Sequence, residues 1–250
     1  MAVSIKSARE IKLMREAGKR LAHVHQELEA MITPGISTWE IDAKGEKLIR
    51  DCGCIPNFLH YNGYPASICV SVNDEVVHGI PRKDRYLKEG DIVSLDAGLI
   101  YKGYHSDAAR THAVGKVSTE AQKLMDVTKQ SFFEGIKMAK EVQHLHDISR
   151  AIEEYVTPYG YGIVRDLVGH GIGTALHEDP QIPNYAQKRR GVRLQAGMTL
   201  AIEPMINAGT WQVRFLRDGW TVVTKDGSLS AHYENTILVT DGEPEILTLY

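Results

Sequence analysis

The chain repeats itself, and each copy of the repeat ends on a carboxylate. Leu87-Lys88-Glu89-Gly90-Asp91-Ile92-Val93-Ser94-Leu95-Asp96 aligns with Leu194-Gln195-Ala196-Gly197-Met198-Thr199-Leu200-Ala201-Ile202-Glu203. At the same offset Glu40-Ile41 matches Asp147-Ile148, Glu46 matches Glu153 and Gly53 matches Gly160. At a slightly longer offset His105-Ser106-Asp107 matches His232-Tyr233-Glu234. Two helices followed by strands occur twice around these matches. Such a chain is expected to fold as one domain of two α/β halves, about 1–115 and 116–250, related by a pseudo-twofold axis. Their strands would join in one continuous sheet, and the four acids would converge where the halves meet. The likeness of His78-Gly79-Ile80 to His170-Gly171-Ile172 does not share this register and is taken as chance.

The first acid pair lies in the stretch from Asp91 to Ala108, DIVSLDAGLIYKGYHSDA. Ile92 to Leu99 is rich in apolar and β-branched residues and predicts a strand; Tyr104 to about Val114 predicts another, with Tyr101-Lys102-Gly103 as a tight turn. A two-residue loop is expected to set Asp96 directly across from Asp107, with Cβ atoms about 5 Å apart. A three-residue loop with a bulge at Gly103 moves that register by one. Like charges opposed inside an apolar hairpin destabilise it unless something positive lies between them. The bland alternative is two solvated acids on an edge ribbon.

Elsewhere the helix signals are local. Ser7 with Glu10, and Ser37 with Glu40, are capping boxes that predict helices running to about Met31 and to near Gly53. Ser118 predicts a long helix through Lys140, and Asp147 caps a shorter one that ends before Pro158 and Gly160. Strands are expected over 66–72 and 75–78, with Asn73-Asp74 as the turn between them, and over 198–206, 220–224 and 231–239. Gly169-His170-Gly171-Ile172-Gly173 reads as a glycine-rich stretch before a long loop holding His177, Pro180 and Pro183.

Composition narrows the partners. A net charge of −3 gives no electrostatic case for DNA or for an anionic membrane, and the Lys188-Arg189-Arg190 cluster with Arg193 reads as a solvated loop. Cys52, Cys54 and Cys69 suit free thiols in a reducing compartment, since Cys52-Gly53-Cys54 lacks the second pair a zinc site requires. The N-terminal stretch has no apolar run suited to a signal or a membrane span, so a cytoplasmic location is expected.

Four buried carboxylates raise one another's pKa steeply and call for compensating charge, which two divalent cations would supply. Oxygen-rich ligation with one imidazole suits Mn, Fe, Co or Zn. His170, with glycines on either side that let backbone approach, is the expected nitrogen donor.

These residues resemble the type I methionine aminopeptidases, M24 metallopeptidases with the α+β pita-bread (creatinase/aminopeptidase-like) fold. The motifs are His78-Gly79-Ile80-Pro81, Ser94-Leu95-Asp96, Tyr104-His105-Ser106-Asp107, Gly169-His170-Gly171-Ile172-Gly173, Ala201-Ile202-Glu203-Pro204-Met205 and Tyr233-Glu234-Asn235-Thr236. The resemblance implies that Asp96, Asp107, His170, Glu203 and Glu234 ligate two divalent metal ions, with Asp107 and Glu234 bridging. It implies removal of initiator methionine before a small second residue, by a hydroxide activated between the metals. Glu203 would shuttle the proton, His177 would steady the carbonyl oxygen and His78 the leaving amide.

The same resemblance places Tyr61, Tyr64, Cys69 and Trp220 on the wall of the methionine pocket, with Phe58, Leu176 and His232 nearby. Three positions depart from many relatives: Phe58 stands where Cys is frequent, Leu176 where an aromatic is, and His232 where Gln is. Asn73 and Ser230 fall where some relatives hold one monovalent cation. The implied partners are nascent polypeptide N-termini and, transiently, the ribosome, through Lys188-Arg189-Arg190; a monomer is expected. Neither an N-terminal zinc-binding extension nor the large N-terminal domain of X-Pro peptidases is expected. X-Pro peptidase activity and a non-catalytic binding role are the alternative functions.

Overall fold

Both Ser-x-x-Glu sequences form the capping boxes they predict. In the computed structural model, which describes residues 3–249, the Ser7 side chain accepts from the Glu10 amide while Glu10 reaches back to the Ser7 amide, and Ser37 and Glu40 do the same. They open α1 (Ala8–Glu29) and α2 (Thr38–Asp51). Ser118 caps α3 (Thr119–Ile136), which stops short of the expected Lys140 because the chain turns there and Lys140 bridges to Thr240. The fourth helix, α4 (Leu145–Val156), follows His144, whose side chain makes no capping bond; Asp147 sits inside its first turn and its carboxylate accepts from the His144 amide at 2.9 Å. Among the described residues no helix is long and apolar enough to cross a membrane.

The strands that position the site are β1 (Ile68–Val72), β2 (Ile92–Tyr101), β3 (Tyr104–Ala113), β4 (Gly169–Gly171), β5 (Glu178–Ile182), β6 (Thr199–Ile202), β7 (Met205–Asn207), β8 (Ser230–His232) and β9 (Glu234–Leu238). The large sheet is antiparallel and runs β1-β2-β3-β9-β6-β4-β5. Read outward from the β3–β9 seam, each half contributes its own strands in the same order. The glycine-rich stretch and the loop after it, expected to be irregular, are paired here as β4 and β5.

Two expected strands are broken. Residues 198–206 divide into β6 and β7 around Glu203 and Pro204, and 231–239 divide into β8 and β9 at Tyr233. Pro204 has no amide to continue a ladder, and its carbonyl instead accepts from Tyr233 N at 3.2 Å. At these two points the chain passes between the large sheet and a small one made of β8, β7 and Gly162–Ile163.

The hairpin has a two-residue loop, but its register differs from the expected one. Lys102 and Gly103 both take positive φ (49° and 83°), as a type I′ turn requires, so Tyr101 pairs with Tyr104. Asp96 therefore faces Ala109, and Asp107 faces Gly98. The two acids are diagonal neighbours on one face, not a direct pair. A Cβ at Gly98 would lie 3.0 Å from Asp107 Oδ1 and 2.5 Å from Asn57 Nδ2, so only glycine leaves room for that carboxylate.

Strand alternation separates core from site. On β2, Val93, Leu95, Ala97 and Leu99 point into a core with Leu21, Val24, Leu28, Ile41 and Ile49 of α1 and α2, while Ser94, Asp96 and Gly98 face the other way. The second half builds its own core from Leu124, Phe132, Ile148 and Ile152 against Leu200, Ile202 and Ile237. Each such fully buried side chain contributes about 1.5–3 kcal/mol. The helices thus cover one face of the sheet and leave the acids on the other.

A candidate metal centre between the halves

Asp96 comes from β2, Asp107 from β3, His170 from β4, Glu203 from the residue after β6, and Glu234 from the first position of β9. All five line one cavity of about 170 Å³. Its walls are Phe58, Tyr61, Tyr64, Cys69, Leu176 and Trp220, together with His78, His177 and Asn62. A larger cavity of about 370 Å³ opens on the helix side, where Glu29, Arg110, Asp126 and Lys129 mix their charges. Only the smaller one gathers the acids.

The donors fall into two overlapping groups. Asp107, His170 and Glu234 each offer an atom within 4.8 Å of the others, and so do Glu203, His232 and Glu234. His170 Nε2 is 4.0 Å from Asp107 Oδ2 and 3.7 Å from Glu203 Oε1. Its Nδ1 lies 2.9 Å from the Gly171 carbonyl, which keeps the proton on Nδ1 and leaves the Nε2 lone pair directed at the acids. Asp96 stands outside both groups, on the strand beside Asp107.

Backbone and side-chain bonds hold these groups in place. Thr236 Oγ1 crosses the seam between the halves, donating to the Asp107 carbonyl at 2.8 Å and accepting from its amide at 3.0 Å. Asn184 Nδ2 donates to the Glu203 carbonyl at 3.0 Å, and the Arg110 guanidinium donates to the Glu234 carbonyl and to Asn235 Oδ1.

Burial raises every one of the four carboxyls. Asp96 is pushed up to about 7 by desolvation; Asp107, Glu203 and Glu234 go well above the usual range, through burial first and then through the charges of the neighbouring acids. Burial does the opposite to the imidazoles: His170 is lowered to about 3 and His78 to about 4, each with a further push from His177, and His177 is itself lowered. They are neutral at ordinary pH and so available as ligands or donors. Asp96 Oδ1 and Glu234 Oε1 are buried without a hydrogen-bond partner. Crowded carboxylates with unpaired oxygens beside a neutral imidazole are the donor chemistry of a divalent-ion site.

The aromatic wall is tied to the histidines. Tyr61 Oη and His177 Nδ1 share a hydrogen bond of 2.8 Å. Tyr64 donates to the Gly79 carbonyl at 2.9 Å and meets Trp220 edge-on with ring centres 5.1 Å apart. His78 holds a left-handed φ of 58°, a conformation non-glycine residues avoid.

Several features escaped the sequence reading. Asn62 lines the cavity from a loop where His60 and Asn62 both have positive φ; Asn tolerates that region, which is the one available signal. Lys6, 6% exposed, reaches Glu178 Oε2 at 2.6 Å, and Glu178 Oε1 accepts from the Ala175 amide at 3.2 Å. This ion pair fastens the loop that carries Leu176 and His177, and no local signal announces it. His232 is 1% exposed and lies outside the lining of the smaller cavity. Asn73 and Ser230 are brought together, with the Asn73 carbonyl accepting from Ser230 N at 2.8 Å. Arg190 pairs with Asp147 at 2.7 Å on the surface.

The model of metallopeptidase family M24 matches residues 12–241. A methionine aminopeptidase of Clostridium acetobutylicum is 53% identical over 247 residues, covering 99% of both chains. The crystal structure of methionine aminopeptidase from Thermotoga maritima superposes with a TM-score of 0.97 at 46% identity, over 100% of each chain. Prolidase from Pyrococcus furiosus shares the fold, with a TM-score of 0.78 at 23% identity over 98% of this chain and 65% of its own. Helices on one face of a curved antiparallel sheet are the expected pita-bread fold. The chain belongs to metallopeptidase family M24 and, within it, to the methionine aminopeptidases.

Proposed function

We propose that this chain removes the N-terminal methionine from polypeptides whose second residue is small, by metal-dependent hydrolysis. The observation that carries the reading is one cavity that gathers four carboxylates and an imidazole on its floor, with an apolar, aromatic wall above them. Asp96, Asp107, His170, Glu203 and Glu234 would hold two divalent ions, of Co, Mn, Fe or Zn, because two such charges balance four carboxylates. When bound there, the ions supply Lewis-acid polarisation of the scissile carbonyl and lower the pKa of water.

The chain's own residues do the rest. The wall made by Phe58, Tyr61, Tyr64, Cys69, Leu176 and Trp220 takes a flexible thioether side chain and excludes water around it. Glu203 receives a proton from the attacking water and returns it to the leaving amine. His177 donates to the carbonyl oxygen, and His78 donates to the leaving amide. Nascent chains are the natural substrates, and the working form is a cytoplasmic monomer, a single domain of two halves. Lys188, Arg189 and Arg190 would contact ribosomal RNA, and the carbonyls near Asn73 and Ser230 would take one monovalent cation. Charge reversal at the three basic residues should reduce ribosome co-sedimentation.

The test is hydrolysis of Met-Ala-Ser against Ala-Pro-Ser by chelated protein with Co, Mn, Fe or Zn added back. Metal-dependent release of methionine, with no cleavage before proline, is expected. Cleavage before proline would transfer the chain to the X-Pro peptidases, whose fold it shares. Metal binding without release of methionine would make it a binding protein.

A further inference from the structure

The mechanism above leaves unused a buried imidazole that stands against the acids. His232 is 1% exposed, at the end of β8, and its Nε2 is buried with no hydrogen-bond partner. That atom lies 3.7 Å from Glu203 Oε2 and 3.9 Å from Glu234 Oε2. Both separations are too long for hydrogen bonds, which close at about 2.7–3.2 Å. They do match the spacing of donors that share an ion: bonds of about 2.0–2.2 Å put two ligand atoms roughly 3–4.2 Å apart. On the other side of the same carboxylate, His170 Nε2 stands 3.7 Å from Glu203 Oε1. Glu203 is thus flanked by two imidazoles, one on each oxygen, and the triad Glu203, His232 and Glu234 is as compact as the triad containing His170.

We infer that His232 is a sixth metal-holding side chain, closing a second nitrogen-bearing donor set with Glu203 and Glu234. The inference rests on the metal-dependent reading of this site. A second imidazole shifts the centre towards ions that favour nitrogen, such as Co, Fe and Zn, and away from Mn. His232 leaves β8 at the point where the chain passes from the small sheet into the large one, so the broken strand sets its ring against the acids.

The experiment uses the full chain loaded with Co(II). Each Co-bound imidazole gives one exchangeable, hyperfine-shifted N–H proton resonance, present in H₂O and absent in D₂O. Two such resonances are expected from the wild type, from His170 and His232. His232→Gln should lose one of them and weaken Co(II) affinity about tenfold in chelator competition, with a smaller change for Mn(II). One resonance or none in the wild type overturns the inference, and that spectrum stands even if the variant fails to fold. Unchanged Co(II) affinity in folded His232→Gln also overturns it, since a merely hydrogen-bonding role is one glutamine can fill. Methionine release is assayed on the same Co sample. Two resonances without release would sink the aminopeptidase reading and leave the ligation standing.

Discussion

The strands that flank the two repeated strands hold equivalent places and carry different chemistry. β1 flanks β2 as β4 flanks β6, yet β1 offers Cys69, paired in register with Asp96, where β4 offers His170, paired with Ala201. The acids come in matched pairs from the repeated strands. His170 has no counterpart in the first half, which instead supplies much of the apolar wall. A duplicated scaffold supplies the acids, and divergence beside it leaves an imidazole in one half where the other has a thiol.

The sharpest way to break this comparison is to empty both flanking positions. His170→Ala should weaken metal affinity by about 100-fold and lower turnover at limiting metal correspondingly. Cys69→Ala, fully inside the pocket wall, should keep metal affinity and kcat while raising KM for Met-Ala-Ser by about tenfold, the effect of lost packing. Chelator competition and steady-state kinetics separate the two; equal loss of metal in both variants would end the division of labour.

A smaller effect is expected where the halves brace each other. Lys6, ahead of α1, holds Glu178 beside His177 in the second half. Lys6→Met should cost about 3 kcal/mol of unfolding free energy in urea. Burial pulls the Glu178 carboxyl upward, but hydrogen bonds from Lys6, Ser4 and the Ala175 amide together bring it down to about 2. A carboxyl lowered on folding stabilises above its unfolded pKa and loses that contribution as pH falls through the folded one. Wild-type stability should therefore drop between about pH 4.5 and pH 2, and Lys6→Met should flatten that part of the curve.

Gly98→Ala tests the hairpin that only the first half possesses; the repeat sets Met205, beyond a broken strand, at the matching place. A cost of about 2 kcal/mol is expected from the forced shift of Asn57 and Asp107, read from the urea midpoint. The least effect belongs to the caps. Ser7→Ala removes half of a capping box and Ser118→Ala a lone cap; each should cost about 1 kcal/mol and lower Tm by about 2–4 °C.

What the sequence made legible was local or repeated. Ser7, Ser37 and Ser118 announce their helices because capping uses neighbours three residues apart. The acids announce themselves by recurrence. The hairpin register escaped because it turns on Lys102 adopting positive φ, for which lysine gives no hint. The breaks at Pro204 and Tyr233 depend on a bond between segments far apart in the chain, as does Lys6 with Glu178. Asp147 carries a familiar capping signal and does bind the amide ahead of its helix, but from inside the first turn, a difference of position that composition does not show.

The left-handed backbone at His78 has a practical consequence. A residue with a Cβ in that region costs about 1–2 kcal/mol that glycine would not. His78→Gly should therefore leave a protein that melts higher while losing a side chain that lines the acidic cavity and that we propose donates to the leaving amide. A thermal-shift screen for sturdier variants would rank that change among its successes, and a stock improved by such selection would arrive more durable and less able to process its substrates.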